Sequence, residues 1–411
     1  MKASSTAAWA ILVNLLLIGQ ITADQVAILE RRTFEFAPAG VVFDTRFDGA
    51  RLSDCTELGD GEYRIVIRPE NQPINDSAWY AFRVTSEAPD TITVHLRYEG
   101  GSHRYRPKIS SDGQCWIPIP FDAYTHDKRS ATLRLTVGPK PLWVAGQEII
   151  GCRELEAWVN DMAQLPFVKA CFIGHSLRGR PIARLELTPG ERRGCVFIIG
   201  RQHPPEVTGS MALMSFVETI VAQTELAGQF RNAFQVIVFP LLNPDGVAAG
   251  HWRHNLNGVD LNRDWGPFTQ PETQAVRDEI LKHVDPKSSQ VYLLLDFHST
   301  HRDLFYVQTD DQPTRPTDFA TRWLGALSRR LPKYTVRQVA TAGGKPTSKK
   351  WGYETLGAPS ITCEFGDNTD RELIRRVSRY AAEEMMRLLL VEVDAKVSDL
   401  NDDSMLSVDD Y

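Results

Sequence analysis

Between residue 24 and about residue 140, apolar and polar positions alternate in short runs. EYRIVIRP (62–69), AWYAFRVTS (78–86), TITVHLRYEG (91–100) and ATLRLTVG (131–138) are separated by turn-rich pieces such as PENQPIND. A period of two places successive side chains on opposite faces of a strand. Short strands at this spacing predict an antiparallel β-sandwich. The stretch HRYRP (103–107), where arginines interleave with an aromatic, reads as strand surface rather than a binding stripe.

Near residues 140–150 the period changes. RELEAWVNDMAQL (153–165) has helical spacing, and strand-like ACFIGHS (170–176), PIARLELT (181–188) and GCVFIIG follow. Helical and apolar strand-like segments then alternate: helices over 207–223, 271–283, 317–330 and 370–391, strands over 234–242, 291–297 and 360–365. Such alternation predicts an α/β domain with helices on both faces of a sheet. The expected organisation is a sandwich domain over 24–140, a catalytic α/β domain over 141–392, and an acidic, disordered tail over 393–411.

The first 23 residues change the picture of location. Lys2 precedes an apolar segment from about Ala7 to Ile18, and small residues end at Ala23, the layout of a cleavable secretory signal. An exported protein, periplasmic or extracellular, is therefore expected, with an uncleaved anchor as the lesser reading. No later segment is apolar enough to span a bilayer, which takes about 20 residues. The six cysteines have no CxxC spacing, which argues against thiolate metal binding. Export would allow them to pair, whereas Cys195 and Cys363, in apolar runs, read as small core residues. A net charge of −6 over 411 residues disfavours nucleic acid. An apolar content of 42% supports a sizeable core, and nothing in the sequence fixes an oligomeric state.

The candidate chemistry begins at FIIGRQHPPEVTGS (197–210). His203 and Glu206 lie three apart in a Pro-stiffened turn directly off an apolar strand, and His298 follows a second apolar strand in LLLDFHST. Open α/β sheets bind ligands just past the carboxyl ends of their strands. Two imidazoles and one carboxylate form the ligand set of a catalytic zinc site, although manganese or cobalt also suit such donors.

With HPPE before it, DFHST after it and ITCEFG near the end, LLNPDGVAAGHWRHNLNGVDLNRDW (241–265) resembles the zinc carboxypeptidases of the M14 peptidase family. GHSLRGRPIARLEL resembles the opening strands of that catalytic domain. NQPINDSAWYAFRV (71–84) resembles the domain that precedes it in the cytosolic carboxypeptidase subfamily. The resemblance implies a mixed β-sheet flanked by helices behind an antiparallel β-sandwich. It also implies one Zn2+ held by His203, Glu206 and His298, with Asp260 accepting the other ring N–H of His203. Glu364 would be the general base on a metal-activated water. Asn262 and Arg263 would grip a terminal carboxylate, and Arg253 would stabilise the oxyanion.

In the digestive branch, the residue at the pocket floor lies fifteen positions before the catalytic glutamate, which here is Lys349. A lysine there would favour acidic C-terminal residues. The competing reading makes GGKPTSKKWG (343–352) a basic, solvent-facing loop. The substrate-capping tyrosine of that branch has no counterpart, its position being Ala342, and Tyr353 is the nearest substitute. The expected partners are peptide or protein C-termini; export would make secreted peptides or cell-wall stem peptides the substrates. Two other functions remain open: a zinc amidohydrolase acting on N-acyl amino acids, and a peptidase-fold binding protein without turnover.

Overall fold

The computed structural model describes residues 28–37, 39–71, 77–187, 194–284 and 291–406, with side chains through Val393. The first 23 residues, read above as a signal segment, lie outside these.

The alternating N-terminal runs form two packed sheets, one of six strands and one of five. Tyr63, Ile65, Ile67, Phe82, Val84, Ile92, Val94, Leu96, Leu133 and Leu135 meet between them in one core. Alternate residues of Asp90–Tyr98 and Ser130–Val137 are buried, as the period of two requires. Most pairings are antiparallel, but Glu62–Ile67 runs parallel to Asp90–Tyr98, so the sandwich is not purely antiparallel. The last strand, Leu142–Ala145, pairs with Ala81–Thr85 and carries the sandwich past the expected boundary at residue 140.

The second part is built on an eight-stranded mixed sheet. Its centre is four parallel strands, Phe234–Phe239, Gly194–Gly200, Val291–Thr300 and Ser360–Gly366. Val196 and Ile198 face one layer of helices, which includes Val207–Val221 and the helix starting at Arg371. Phe197 and Ile199, on the opposite face, pack with Val276, Ile280 and Trp351 from two other helices. The strands are apolar on both faces because both are covered.

Two sequence expectations are corrected here. The 393–411 tail does not begin as a disordered segment: the last helix runs from Arg371 to Leu406. No proline or glycine interrupts VDAKVSDLNDDSML, so helical propagation continues from the packed portion. The segment 343–352 is not wholly a loop, because Ser348–Leu356 is a helix. The Thr347 side chain caps it by accepting from Lys350 N (3.2 Å), and Gly357 ends it at φ 65°. Among the described residues no helix is long and apolar enough to cross a membrane.

Candidate metal centre and cleft

The strand Gly194–Gly200 ends at a tight reversal. Arg201 takes φ 55° and is buried, its guanidinium donating to Pro204 O (2.7 Å), Ser210 Oγ (3.0 Å) and Ile150 O (2.8 Å). Those three bonds hold the His203–Glu206 turn against the start of the next helix, Val207–Val221. Gly209 lets that helix approach the strand carrying His298; a Cβ there would sit 2.5 Å from His298 O.

These supports bring His203, Glu206 and His298 together, with potential ligand atoms all within 4.8 Å of one another. Nδ1 of His203 lies 2.8 Å from Glu206 Oε1, and Nδ1 of His298 lies 2.7 Å from Glu206 Oε2. The opposite ring nitrogens are also fixed. His203 Nε2 meets Asp260 Oδ1 at 2.9 Å, and His298 Nε2 meets Asp296 Oδ2 at 2.8 Å. A carboxylate behind each ring selects the Nε2–H tautomer and leaves the Nδ1 lone pair for a metal. The set is two nitrogens and a carboxylate, which fits zinc.

Glu364 lies beside this cluster, opposite His298 in register on the neighbouring strand. Its Oε2 is buried with no hydrogen-bond partner among the described residues. Burial pushes its carboxyl up to about 7, with Glu206 adding to the rise and His298 opposing it. A polar atom left unpaired in the interior is costly, and here it borders a cleft of about 430 Å³ that also touches His203, Glu206 and His298.

The other sequence-predicted residues border the same cleft. Asn262 and Arg263 stand on a short turn, Leu261–Arg263, capped by Asp260 Oδ1, which accepts from Asn262 N (2.9 Å). Asn262 Oδ1 accepts from Ser348 N (3.1 Å), tying that turn to the helix bearing Lys349. Arg253 donates through Nε to Asp260 Oδ2 at 2.7 Å. Lys349 is buried in the first turn of its helix, donating from Nζ to Thr341 O (2.6 Å), and burial lowers its pKa to about 8. Tyr306 borders the cleft, whereas Tyr353 is not among its lining residues.

Two residues escaped the sequence reading. Asp296 stands two positions before His298 in LLLDFHST, on the same strand face, and that spacing was the available signal. Arg104, in the HRYRP stretch read as strand surface, reaches from the sandwich to the cleft. It donates to Asp367 Oδ2 (2.7 Å) and Ser299 O (3.3 Å). No local pattern marks that contact, which joins residues far apart in the chain.

A mixed sheet with this cluster at its strand ends and an unpartnered buried carboxyl beside it defines a metallohydrolase scaffold. The family profile described as zinc carboxypeptidase, peptidase M14, matches residues 155–269. Cytosolic carboxypeptidase 6 of Mus musculus is 34% identical over 299 residues, covering 63% of this chain and 54% of its own. Its namesake in Caenorhabditis elegans is 22% identical over 285 residues, covering 63% of this chain and 62% of its own. The chain thus spans less than two thirds of the length of these curated relatives. The crystal structure of a metallo-carboxypeptidase from Burkholderia cenocepacia superposes with a TM-score of 0.72 at 21% identity, over 86% of this chain and 99% of that one. Residues 155–269 thus match the zinc carboxypeptidase profile of peptidase M14, and the fold is that of the metallo-carboxypeptidase.

These names also correct the expectation of export. The curated proteins it resembles are named cytosolic carboxypeptidases, which stands against the expected periplasmic or extracellular location. The six cysteines are free thiols, and Cys195 and Cys363 are buried, as their apolar runs suggest.

Proposed function

We propose that the protein is a metallocarboxypeptidase that removes the C-terminal residue of peptides or proteins, with one zinc ion per chain and a preference for acidic C-termini. The observation that carries this reading is the shared cleft. It gathers the His203–Glu206–His298 cluster, the unpartnered carboxyl of Glu364, and the cations Arg253, Arg263 and Lys349.

When held by His203, Glu206 and His298, zinc supplies Lewis acidity to a scissile carbonyl and to a water. Asp260 and Asp296 keep both imidazoles in the ligating tautomer. Glu364 takes a proton from the attacking water on Oε2 and hands it to the leaving amine, as a carboxylate beside the cluster can do. Arg263 and Asn262 receive the terminal carboxylate, for which a planar guanidinium offers two parallel donors. Arg253, oriented by Asp260, donates to the oxyanion that develops at the attacked carbonyl. Lys349 pairs with an acidic side chain of the departing residue, an attraction strengthened by its partial removal from water.

The test is a panel of short peptides that differ only in the last residue, incubated with zinc-loaded protein and followed by mass spectrometry. Glu364→Gln and an N-acyl aspartate are run in parallel. Release of single C-terminal residues, abolished by Glu364→Gln, is expected. Cleavage of the N-acyl amino acid alone would transfer the protein to the amidohydrolases, and inertness with zinc bound would favour a binding role.

A further inference from the structure

The loop that carries Arg253 is held by the sandwich as well as by its own domain. Glu70 follows the sandwich strand Glu62–Ile67, and its side chain is fully buried. Its Oε1 accepts from Arg253 N at 2.8 Å and from His254 N at 3.1 Å. Two consecutive backbone N–H groups converging on one ionised oxygen are a strong restraint, because charge-assisted bonds are about twice as strong as neutral ones. Burial alone would raise the pKa of Glu70, but His254, His251 and Arg51 hold it well below the usual range.

The neighbouring residues of the loop are clamped from the same side. Trp252 packs among Ala78, Trp79, Ala81, Tyr105 and Ala145, and its Nε1 donates to Tyr105 Oη at 3.1 Å. Gly250, at φ 68°, lies so close to the sandwich that a Cβ would come within 2.4 Å of Ala50 O. From this loop a short chain of contacts reaches the metal cluster: Arg253 Nε to Asp260 Oδ2 (2.7 Å), then Asp260 Oδ1 to His203 Nε2 (2.9 Å).

We propose that Glu70 is a positioning residue of the active site. It fixes the main chain of Arg253, and so aims the guanidinium at the reacting carbonyl. The sandwich is then a working part of the centre, not only a buttress. This rests on the oxyanion role of Arg253 proposed above. A side chain displaced by about 1 Å from its productive position costs on the order of 100-fold in rate.

The test compares Glu70→Ala, Glu70→Gln, Arg253→Ala and the double variant Glu70→Ala/Arg253→Ala in the zinc-loaded full chain. A sandwich-core variant, Leu96→Ala, controls for lost stability alone. In Glu70→Ala, kcat should fall roughly 10- to 100-fold with KM changed less than about 3-fold, because the lost interaction belongs to the transition state. Glu70→Gln keeps an acceptor and should fall between, and it serves if the alanine variant does not fold. The double variant should be no slower than Arg253→Ala, whereas independent effects would multiply. Hydrogen–deuterium exchange, which needs no turnover, should rise in segment 250–256 of Glu70→Ala and stay unchanged there in Leu96→Ala.

Multiplying effects, or unchanged exchange at 250–256, would overturn the proposal. A wild-type protein inert toward every peptide would instead sink the carboxypeptidase reading, and the exchange measurement would still decide whether Glu70 holds the loop.

Discussion

His298 and Glu364 are direct partners across two parallel strands, one at the edge of the metal cluster and the other with a buried oxygen that has no hydrogen-bond partner among the described residues. Register fixes this pairing, and a slip of one residue would turn either side chain to the opposite face of the sheet. The Glu364 carboxyl is therefore placed by backbone hydrogen bonds rather than by a flexible loop, and its reach is set by side-chain length. Glu364→Asp withdraws the carboxyl by one methylene while keeping its charge. Catalysis should drop about 100-fold, the cost of a comparable misplacement. Zinc affinity, measured by chelator competition, should stay within a factor of about 3, since Glu364 is not a ligand. Equal losses in both quantities would mean that Glu364 helps to hold the metal.

The carboxylates behind the imidazoles make a separate claim. Asp296 is buried and receives Gln202 Nε2 (2.6 Å) and Ser348 Oγ as well as the His298 ring. Asp296→Asn preserves the volume but removes the charge that favours the ligating tautomer. Zinc affinity should fall about 10- to 100-fold, the usual cost of losing such a partner. An unchanged dissociation constant would leave Asp296 a purely structural acceptor.

Much of this site could be read from the sequence because its residues sit at the ends of apolar strands, where pattern and spacing are strongest. His203, Glu206 and His298 follow from two such ends, whereas Asp260, Asn262 and Arg263 come only from the resemblance of the DLNR stretch to the zinc carboxypeptidases. Apart from Asp296, two positions before His298, what escaped depends on contacts between distant segments. Arg104 sits 263 residues before its partner Asp367, and Glu70 sits 183 before Arg253. No periodicity joins such pairs. The helix Ser348–Leu356 was obscured for a different reason: adjacent lysines suggest an exposed loop, while the decisive signals are the Thr347 cap and the Gly357 stop. The short apolar N-terminal run suggests export on composition alone, whereas the similar curated proteins are named for the cytosol.

Lys349 provides a test of specificity. Its ammonium is tied to Thr341 O yet borders the cleft with Arg263. Lys349→Met retains the buried stem and removes the charge. The ratio of kcat/KM for a C-terminal glutamate over a leucine should fall about 10- to 100-fold, the worth of one charge-assisted hydrogen bond. With the amine pKa lowered to about 8 by burial, the same preference in the wild-type protein should fade as pH rises through 8. A preference that survives both changes would reduce Lys349 to an anchor for the Thr341 segment.

Glu272 links the fold around the Arg253–Arg263 segment to pH. It is fully buried in the first turn of the helix Pro271–Leu281, where Oε2 accepts from Asn255 Nδ2 at 3.2 Å and Oε1 has no partner among the described residues. Burial, above all, pushes its carboxyl up to about 7, with Asp245 and Asp264 adding to the rise against the Asn255 hydrogen bond. The folded state then holds a proton that the unfolded chain, titrating near 4.5, has already released. Between those values the native state binds more protons, so the contribution of Glu272 to stability is greatest below about 4.5 and declines until pH passes 7. Above that it is constant, at a penalty of roughly 3 kcal/mol. Glu272→Gln cannot ionise and should escape the penalty. Urea unfolding of both proteins at pH 5 and pH 8 checks this, the glutamine variant gaining relative stability at the higher pH. A stability difference that is flat between the two would mean that Glu272 is already ionised in the folded protein at pH 5.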